Sequence, residues 1–211
     1  MQISSIGNSF AKMSSGYKIN KAADDASGLA ISQRLETSQR TANVETENAK
    51  SKISKNSIED GKFSQVSDYL QDIRQNLIKK ENSLLSNSDK NDVQNVNDKL
   101  YEGLKNTLDE DTFKNLGLDN LDINDIESVN KAMQSVNNVQ SKVGTSTNAL
   151  EHFTNYNSIT RENLLSSQSK ILDTDIAKEV ANLKTRQLIE DFKLQMQKNK
   201  IENDKKQNIF I

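Results

Sequence analysis

The sequence predicts an all-α protein, a long antiparallel coiled-coil helical bundle. Two stretches repeat apolar residues at alternating intervals of three and four, which keeps one apolar seam of a helix facing a partner helix. The 211-residue chain contains no proline, the residue that most strongly interrupts a helix. Only 33% of its residues are hydrophobic and 5% are aromatic. So low an apolar fraction is too small for a thick globular core but sufficient for thin helical bundles.

The longer seam runs from Val129 to Ile171. With Val129 as position a of a heptad, nine apolar residues occupy a and d sites: Val129, Ala132, Val136, Val139, Val143, Leu150, Phe153, Leu164 and Ile171. The other seam positions are small or polar: Ser146, Asn157, Thr160 and Ser167. Such a seam needs a specific partner helix. The residues that we expect to pack in the core from this helix are Val136, Val143, Leu150, Phe153 and Leu164.

A second long helix is predicted from Arg40 to Leu85, and we expect it to be the partner. Its seam repeats at intervals of three, four and seven and comprises Phe63, Val66, Leu70, Ile73, Leu77 and Leu84. A polar cluster from Ser86 to Asp92 predicts a turn. A third, shorter amphipathic helix then follows with Val93, Val96, Leu100, Leu104 and Leu108 on its apolar face.

The chain is expected to divide into three parts by sequence. Residues 1–35 form an N-terminal end, residues 36–172 a helical core, and residues 173–211 a C-terminal helix and tail. Within the core, residues 109–125 are a connector that is too short for a domain of its own. We expect no large outer domain.

Composition excludes several classes of function. The net charge is -2 and the pI is about 5.6, whereas a nucleic-acid binder would show a basic stripe. No stretch is apolar for the roughly 18 residues that a membrane span needs. The first residues also lack the apolar region of a cleaved secretory signal, so we expect either a cytoplasmic protein or export by another route. The absence of cysteine excludes disulfides and thiol catalysis.

Candidate catalytic groups are few, and helix capping explains them. The paired carboxylates Asp24 with Asp25 and Asp173 with Asp175 stand at predicted helix starts, where carboxylates cap backbone N–H groups. His152 is the single histidine and lacks the neighbours of a usual zinc site. We find no HExxH motif, glycine-rich phosphate loop or nucleophile elbow. We therefore expect neither an enzyme nor a bound metal or cofactor.

The most specific motif lies between Ser14 and Leu35. Ser14 and Ser15 are candidate helix caps, Gly16 is a candidate helix stop, and Asp24 or Asp25 is a candidate N-cap of the next helix. A turn between two helices accounts for this pattern. The conspicuous residues of the segment are Ser14, Ser15, Gly16, Ile19, Asn20, Ala22 to Ala26, and Gly28 to Ile31.

This segment resembles the N-terminal signature of bacterial flagellins, which combines Ser-Ser-Gly, Ile-Asn, Ala-Ala-Asp-Asp-Ala and Gly-Leu-Ala-Ile. The C-terminal part is similar to the same family, with an Asp-containing turn at Asp173 to Asp175 and a terminal Gln207-Asn208 pair. The family signature thus covers Ser14, Ser15, Gly16, Ile19, Asn20, Asp24, Asp25, Gly28, Asp175, Gln207 and Asn208. Flagellins place variable outer domains near residues 109–125, so this chain resembles a flagellin reduced to its core.

The resemblance implies a structural subunit of the bacterial flagellar filament that self-assembles helically for motility. It further implies that the protein is secreted, and that its partners are other flagellin subunits, the flagellar export apparatus with a chaperone, and the filament cap. Only thirteen residues precede Ser14, where the family has a further helical stretch. We therefore expect a shortened N-terminal end, either trimmed or forming an unusual inner tube.

Two other functions remain open from the sequence. A hook-filament junction protein is of the same structural class, although Asn208 to Ile211 and the Asp173 segment are more similar to filament flagellin. A coiled-coil scaffold or signalling module would account for the heptads but not for the signature.

The resemblance also covers the segment through which a toll-like receptor binds many flagellins. It corresponds here to Leu70, Gln71, Asp72, Arg74 and Asn76. The family pattern has an Arg where Asp72 stands and a Leu where Asn76 stands. We expect this degenerate receptor segment to be recognised weakly or not at all, because an unpaired carboxylate would be buried against a site shaped for a guanidinium. A solvated helix face explains Asp72 equally well.

Overall fold

The computed structural model describes residues 2–82 and 84–209, with side chains for residues 7–82 and 84–205. Within these residues the elements are six α-helices and one short 3-10 turn. The helices are α1 (Gln2–Ser15), α2 (Ala26–Lys80), α3 (Asn87–Thr107), α4 (Glu110–Asn115), α5 (Ile126–Leu172) and α6 (Ile176–Ile209), and the 3-10 turn is Leu118–Asn120. The predicted all-α fold is confirmed, and no large outer domain is present in the described part of the chain.

Helix α2 begins earlier than predicted. The sequence suggested one helix from about Ala26 and another from Arg40 to Leu85, but a single helix of 55 residues ends at Lys80. The prediction that Leu84 lies on the seam is wrong, because Leu84 falls in the turn after α2 and is 90% exposed. Helix α3 also begins early, at Asn87, within the segment predicted as a turn. The Ser86 hydroxyl accepts the Asp89 N–H at 3.2 Å, and the Asp89 carboxylate accepts the Ser86 N–H at 3.0 Å. This capping box satisfies donors that a helix start leaves free.

The chain divides into two compact units. The end unit comprises Met1–Asn43 and Ser158–Ile211, and the central unit comprises Val44–Asn157. The long helices α2 and α5 contribute residues to each. The three-part division proposed from the sequence stays a prediction.

The central unit contains an apolar core shared by α2, α3, the connector and α5. Its buried members are Phe63, Val66, Leu70, Ile73, Leu77, Leu104, Leu108, Phe113, Leu116, Leu118, Val129, Ala132 and Val136. At about 25 cal/mol for each Å² of apolar surface removed from water, such a cluster is the main stabilising element of this unit.

The connector contributes to this core. Phe113 of α4 packs against Tyr101 of α3 with ring centroids 6.1 Å apart. The Tyr101 hydroxyl donates to the Leu118 carbonyl at 3.0 Å. Burial, followed by the nearby Asp119 carboxylate, raises the pKa of Tyr101. The segment expected to be only a link is therefore a short helix and turn, and its Phe113, Leu116 and Leu118 belong to the apolar core.

Polar side chains align α2 and α5 antiparallel within the central unit. The Arg74 guanidinium donates to Asn130 at 2.9 Å, and the Asn56 amide donates to Thr147 at 3.1 Å. Residue numbers rise along α2 as they fall along α5, which is the antiparallel pairing expected from the two seams.

The α5 seam departs from the predicted register after Val143. Thr147 and Thr154 are turned inward there, one residue beyond the predicted positions. This four-residue step is a stutter, which locally unwinds a coiled coil. The prediction that Phe153 packs in the core is wrong, because Phe153 is 39% exposed. Leu150 stays half-buried because it is an inward site in both registers.

The predicted orientation of α3 is also wrong at one position. Val96 was expected on its apolar face, but this residue is 49% exposed, and Asn97 is fully buried instead. Leu104 and Leu108 of the same helix are buried as expected.

The end unit has a smaller and more polar interior. Its buried apolar residues are Ile19, Ala42 and Leu183, and its buried polar residues are Ser9 and Ser32. Since burial of a serine or alanine removes little apolar surface from water, hydrogen bonds must carry more of the specificity here than in the central unit.

A substitution series separates the observed seam from the predicted one. Leu70→Ala and Ile73→Ala should each lower the free energy of unfolding by about 2 to 5 kcal/mol, because both side chains are fully buried. Phe153→Ala should cost much less, and Glu151→Ala, at an exposed site, should serve as the control. Urea unfolding followed by circular dichroism gives these values. If Phe153→Ala lowered the free energy of unfolding as much as Leu70→Ala, Phe153 would have to be packed in the core and the predicted heptad register would be correct.

Candidate assembly site

Helix α1 ends at the glycine of the signature. Gly16 has a φ of +74°, a left-handed conformation that side chains disfavour. Its N–H donates to the Lys12 carbonyl at 3.0 Å, which closes the last turn of the helix. The Ser15 hydroxyl accepts the Tyr17 N–H at 3.1 Å and so turns the chain out of the helix. Ser14 is exposed on the same turn.

The loop between α1 and α2 is organised by Asp24. One oxygen of this carboxylate accepts the N–H of Asn20 at 3.0 Å and that of Lys21 at 3.1 Å. The Asn20 amide in turn donates to the Tyr17 carbonyl at 3.0 Å. The bond from the Asn20 N–H, followed by that from Lys21, holds the pKa of Asp24 below its ordinary value. Asp24 is therefore a loop-forming residue rather than a helix cap.

Asp25 is the cap of α2, and Gly28 leaves room for it. The Asp25 carboxylate accepts the Gly28 N–H at 2.9 Å. A Cβ atom at residue 28 would lie 2.5 Å from Oδ2 of Asp25 and 2.6 Å from Cδ1 of Ile19. Ile19 is buried in this small space. The signature residues Gly16, Ile19, Asn20, Asp24, Asp25 and Gly28 thus act together as one tightly packed loop.

This loop pairs with the link between α5 and α6. The Lys18 N–H donates to the Leu172 carbonyl at 2.6 Å, and the Thr174 N–H donates to the Gly16 carbonyl at 2.9 Å. The Lys18 ammonium donates to the Lys170 carbonyl at 2.9 Å. A cation is favourable there because the last carbonyls of a helix are unsatisfied and carry partial negative charge. We call this contact between residues 16–18 and 170–174 the loop clasp.

The C-terminal carboxylates also have structural roles. Asp175 caps α6 by accepting the Lys178 N–H at 3.0 Å. Asp173 accepts a hydrogen bond from the Ser169 hydroxyl and forms an isolated bridge with Tyr17. The paired carboxylates are thus occupied by hydrogen bonds that define helix and loop ends.

Helix α1 packs on α6 next to the clasp. The Arg186 guanidinium donates to the hydroxyl of Ser9 at 2.9 Å, and Ser9 is fully buried. The Ser9 hydroxyl donates to Glu179, which lowers the pKa of that carboxyl, and Asn182, Lys12 and Arg186 lower it further. Ser9 therefore bridges a cation and an anion of α6.

The middle of α6 presents apolar side chains to solvent. Leu188, Ile189, Phe192 and Met196 are all exposed and lie within about 100° of one another around the helix. Glu179, Leu183 and Arg186 lie on a different side, the one that contacts α1. We call the four exposed residues the α6 apolar face. An uncovered face of this kind on a long helix marks an interaction surface.

Several residues of functional interest in the sequence are not gathered here. The side chains of Gln207 and Asn208 lie outside the described residues. In the central unit, Leu70 is buried, while Gln71 and Asp72 are exposed. The Asn76 amide donates to Asn97 at 2.9 Å, so part of the degenerate receptor segment is engaged inside the molecule.

Sequence reasoning missed the contributions of Ser9, Lys18, Glu179 and Arg186. Lys18 lies within the signature segment but is not one of its characteristic residues, and each of the four acts on a residue more than 150 positions away. To find them, the sequence would have had to show that the helices at the two chain ends pair with each other. Because α1 is short and polar, its apolar pattern indicates such pairing only weakly.

Two kinds of site were looked for in the part of the chain that the structure describes, a metal-binding cluster and a membrane-spanning helix. There, no three His, Cys, Asp or Glu side chains are close enough to hold a metal ion. In that same part, none of the helices combines the length and apolarity that crossing a membrane requires.

The fold and the clasp define a class: an all-helical protein whose N-terminal and C-terminal segments pair with each other. Residues 3–118 match the bacterial flagellin N-terminal helical region, and residues 126–208 match the bacterial flagellin C-terminal helical region. The chain belongs to the bacterial flagellin family.

Individual relatives agree with this membership. The chain is 24% identical over 242 residues to the flagellar filament 33 kDa core protein of Treponema phagedenis, with 88% of the chain and 85% of that protein covered. It is 34% identical over 89 residues to flagellin FlaB1 of Treponema pallidum, covering 42% of the chain and 31% of the relative. With a flagellin of Serratia marcescens it shares 36% identity over 91 residues, 43% of the chain and 26% of the relative. The last two matches thus span less than a third of those proteins.

Glycine substitutions test the packing of the signature loop. Gly28→Ala should destabilise the end unit by about 1 to 3 kcal/mol, because its Cβ would displace Asp25 or Ile19. Gly61→Ala, with nothing within 4 Å of the new atom, should stabilise α2 by up to about 1 kcal/mol. Hydrogen exchange of α1 and α6 measures the first effect. Equal exchange in the Gly28→Ala variant and the wild type would show that the loop accommodates a Cβ atom at residue 28 without loss of stability.

Acid should loosen α1. The lowered pKa of Glu179 means that its ionised form stabilises the folded state. That contribution is complete above about pH 4.5, the ordinary value, and is lost as the pH falls through the lower folded-state pKa. The hydrogen-exchange protection factors of α1 should fall in this range. In the Glu179→Gln variant, the protection of α1 should be weak at every pH and should show no acid-induced fall. Glu127→Gln, at an exposed site, is the control and should behave like the wild type. An unchanged fall in the Glu179→Gln variant would mean that another carboxyl causes it.

Proposed function

We propose that this protein is a structural subunit of the bacterial flagellar filament that assembles helically with copies of itself. The single observation that carries the proposal is the α6 apolar face, which is exposed beside the clasped chain ends of a flagellin-family fold. Exposed apolar side chains that are grouped on one face of a helix become favourable when another chain covers them.

Charge supports association between copies. The chain has 28 basic and 30 acidic residues, so like-charge repulsion between identical subunits is weak. Contacts between different surfaces of identical subunits extend into a helical filament when their rotation does not close a ring. The α6 apolar face and the remaining surface of a second subunit would make a contact of this heterologous kind.

The family resemblance extends the proposal to other partners. The subunit would be secreted through the flagellar export apparatus with the help of a chaperone, and would be added to the growing filament under the filament cap. Its role is structural rather than catalytic. The names of the Treponema relatives, a filament core protein and a flagellin, support the filament location.

Electron microscopy of the purified protein tests the proposal. The wild-type protein should form filaments that sediment at high speed. The double variant Leu188→Glu with Phe192→Glu should remain a monomer with unchanged helical circular dichroism, since both side chains are exposed in the single chain and only the contact between chains is lost. Ionised carboxylates buried without partners cost several kcal/mol.

Leu84→Glu is the matched control, because Leu84 is 90% exposed and lies in the turn before α3. It should assemble like the wild type. Stable wild-type dimers of defined size would instead favour the coiled-coil scaffold reading. Filaments from the double variant would show that assembly does not use the α6 apolar face.

A further inference from the structure

One side of α5 in the central unit is exposed and carries no charge. From Val143 to Asn157 only Glu151 is charged, although 27% of the whole chain is. Ala149 and His152 are exposed and lie within about 40° of the exposed Tyr156 around the helix. Glu151 lies about 140° from Tyr156 and therefore belongs to another side. We call Ala149, His152 and Tyr156 the α5 neutral face. Contact surfaces between proteins are likewise poor in charge and rich in tyrosine.

The α5 neutral face is not the side of α5 that packs on α2. On the packed side, Thr147 accepts a hydrogen bond from the Asn56 amide at 3.1 Å, and the buried Asn157 donates to Glu45 at 3.4 Å. Tyr156 lies about 100° or more around the helix from both of these α5 residues. Its side chain is 65% exposed, so the ring is available to another chain.

A groove of about 500 Å³ opens between α2, α4 and α5 in the same unit. Its lining includes the buried Phe63, Leu108 and Leu116 and the half-buried Val139. Ile58, which is 64% exposed, lies at its edge. An apolar cavity of about 150 Å³ already holds a benzene ring. The groove therefore has room for an aromatic side chain together with its neighbours.

The polar groups of the groove favour an uncharged aromatic occupant. Lys55 and Glu59 pair with each other at 3.9 Å. The Asp109 carboxylate accepts the Thr112 N–H at 3.0 Å and the Thr112 hydroxyl at 2.8 Å. A neutral side chain adds no charge that would be buried without a partner. Lys62 also lines the groove, and an ammonium group is attracted to the face of an aromatic ring.

Tyr156 cannot fill the groove of its own chain. Val139 in the groove and Tyr156 belong to the same helix, and about 26 Å of that helix separates them. The occupant must therefore come from a second copy. Because the groove and the α5 neutral face are different surfaces, the contact is heterologous and can repeat from copy to copy. Successive parallel copies would be displaced by about 26 Å along α5.

We propose that the groove between α2, α4 and α5 receives Tyr156 of a second copy of this chain. The inference rests on the proposed function, because it requires that copies of the chain assemble. It adds a contact between central units that is separate from the α6 apolar face. His152 lies one turn before Tyr156 and reaches the edge of the groove near Ile58.

The absence of native cysteine allows cross-linking at chosen positions. An affinity-tagged chain with Ile58→Cys is mixed with an untagged chain with His152→Cys, and a short bismaleimide is added. A cross-linked pair of one tagged and one untagged chain should form, because position 152 of one copy meets position 58 of the next. Either variant alone should give about tenfold less cross-linked dimer, since like positions do not meet in a heterologous contact.

The same mixture is then prepared in the background of Leu188→Glu with Phe192→Glu, in which filaments should not form. The cross-link should persist there at high protein concentration, because both of its surfaces lie in the central unit and not on α6. Filaments without the cross-link in otherwise wild-type chains would overturn this contact and leave the proposed function intact. The cross-link without filaments would support this contact and overturn the proposed function, and the absence of both would overturn both.

Removal of the tyrosine tests its part in the contact. Adding Tyr156→Ala to the His152→Cys chain should lower the yield of the mixed cross-link by about tenfold, because buried tyrosines supply much of the binding energy of an interface. Lys131→Ala is the control, at an exposed position of the same helix about 37 Å away, and should leave the yield unchanged. An unchanged yield with Tyr156→Ala would overturn the assignment of Tyr156 as the occupant.

Discussion

The end unit depends on the loop clasp. Among the described residues its buried side chains are few and two of them are serines, and burial of Ile19, Ala42 and Leu183 alone removes little apolar surface from water. The clasp supplies two backbone hydrogen bonds and one lysine bond to the end of α5, and in doing so it satisfies groups that helix ends leave free. The signature residues serve this contact. They give the loop the shape in which Gly16 and Lys18 reach the link between α5 and α6.

The central unit relies on a different kind of interaction. Its apolar core provides stability, and its polar pairs, such as Arg74 with Asn130, align the helices without adding much apolar burial. Stability and alignment are thus separate properties in this unit. The shift of the α5 seam at Thr147 illustrates the separation, because a polar contact with Asn56 marks the place where the heptad register changes.

Much of the fold could be predicted from the sequence. The heptad seams identified α2 and α5 as partners, and the flagellin signature identified the family, because both are local patterns with strict spacing. Phe153 and Val96 were misplaced because a one-residue change of register leaves the local spacing almost unaltered and is decided by the partner helix. Ser9 and Lys18 could not be predicted as site residues, since their partners lie at the opposite end of the sequence and belong to no motif.

The clasp also has a consequence for the time at which each part of the chain acquires its structure. It joins residues that are 152 positions apart, and the bond between Ser9 and Arg186 spans 177 positions. Contacts of such high sequence separation form slowly and require nearly the whole chain, whereas the pairing of α2 with α3 is available much earlier during synthesis. A ribosome must therefore extend the chain beyond Arg186 of α6 before α1 can make these contacts, and until then the newly made N-terminal segment remains without its partner.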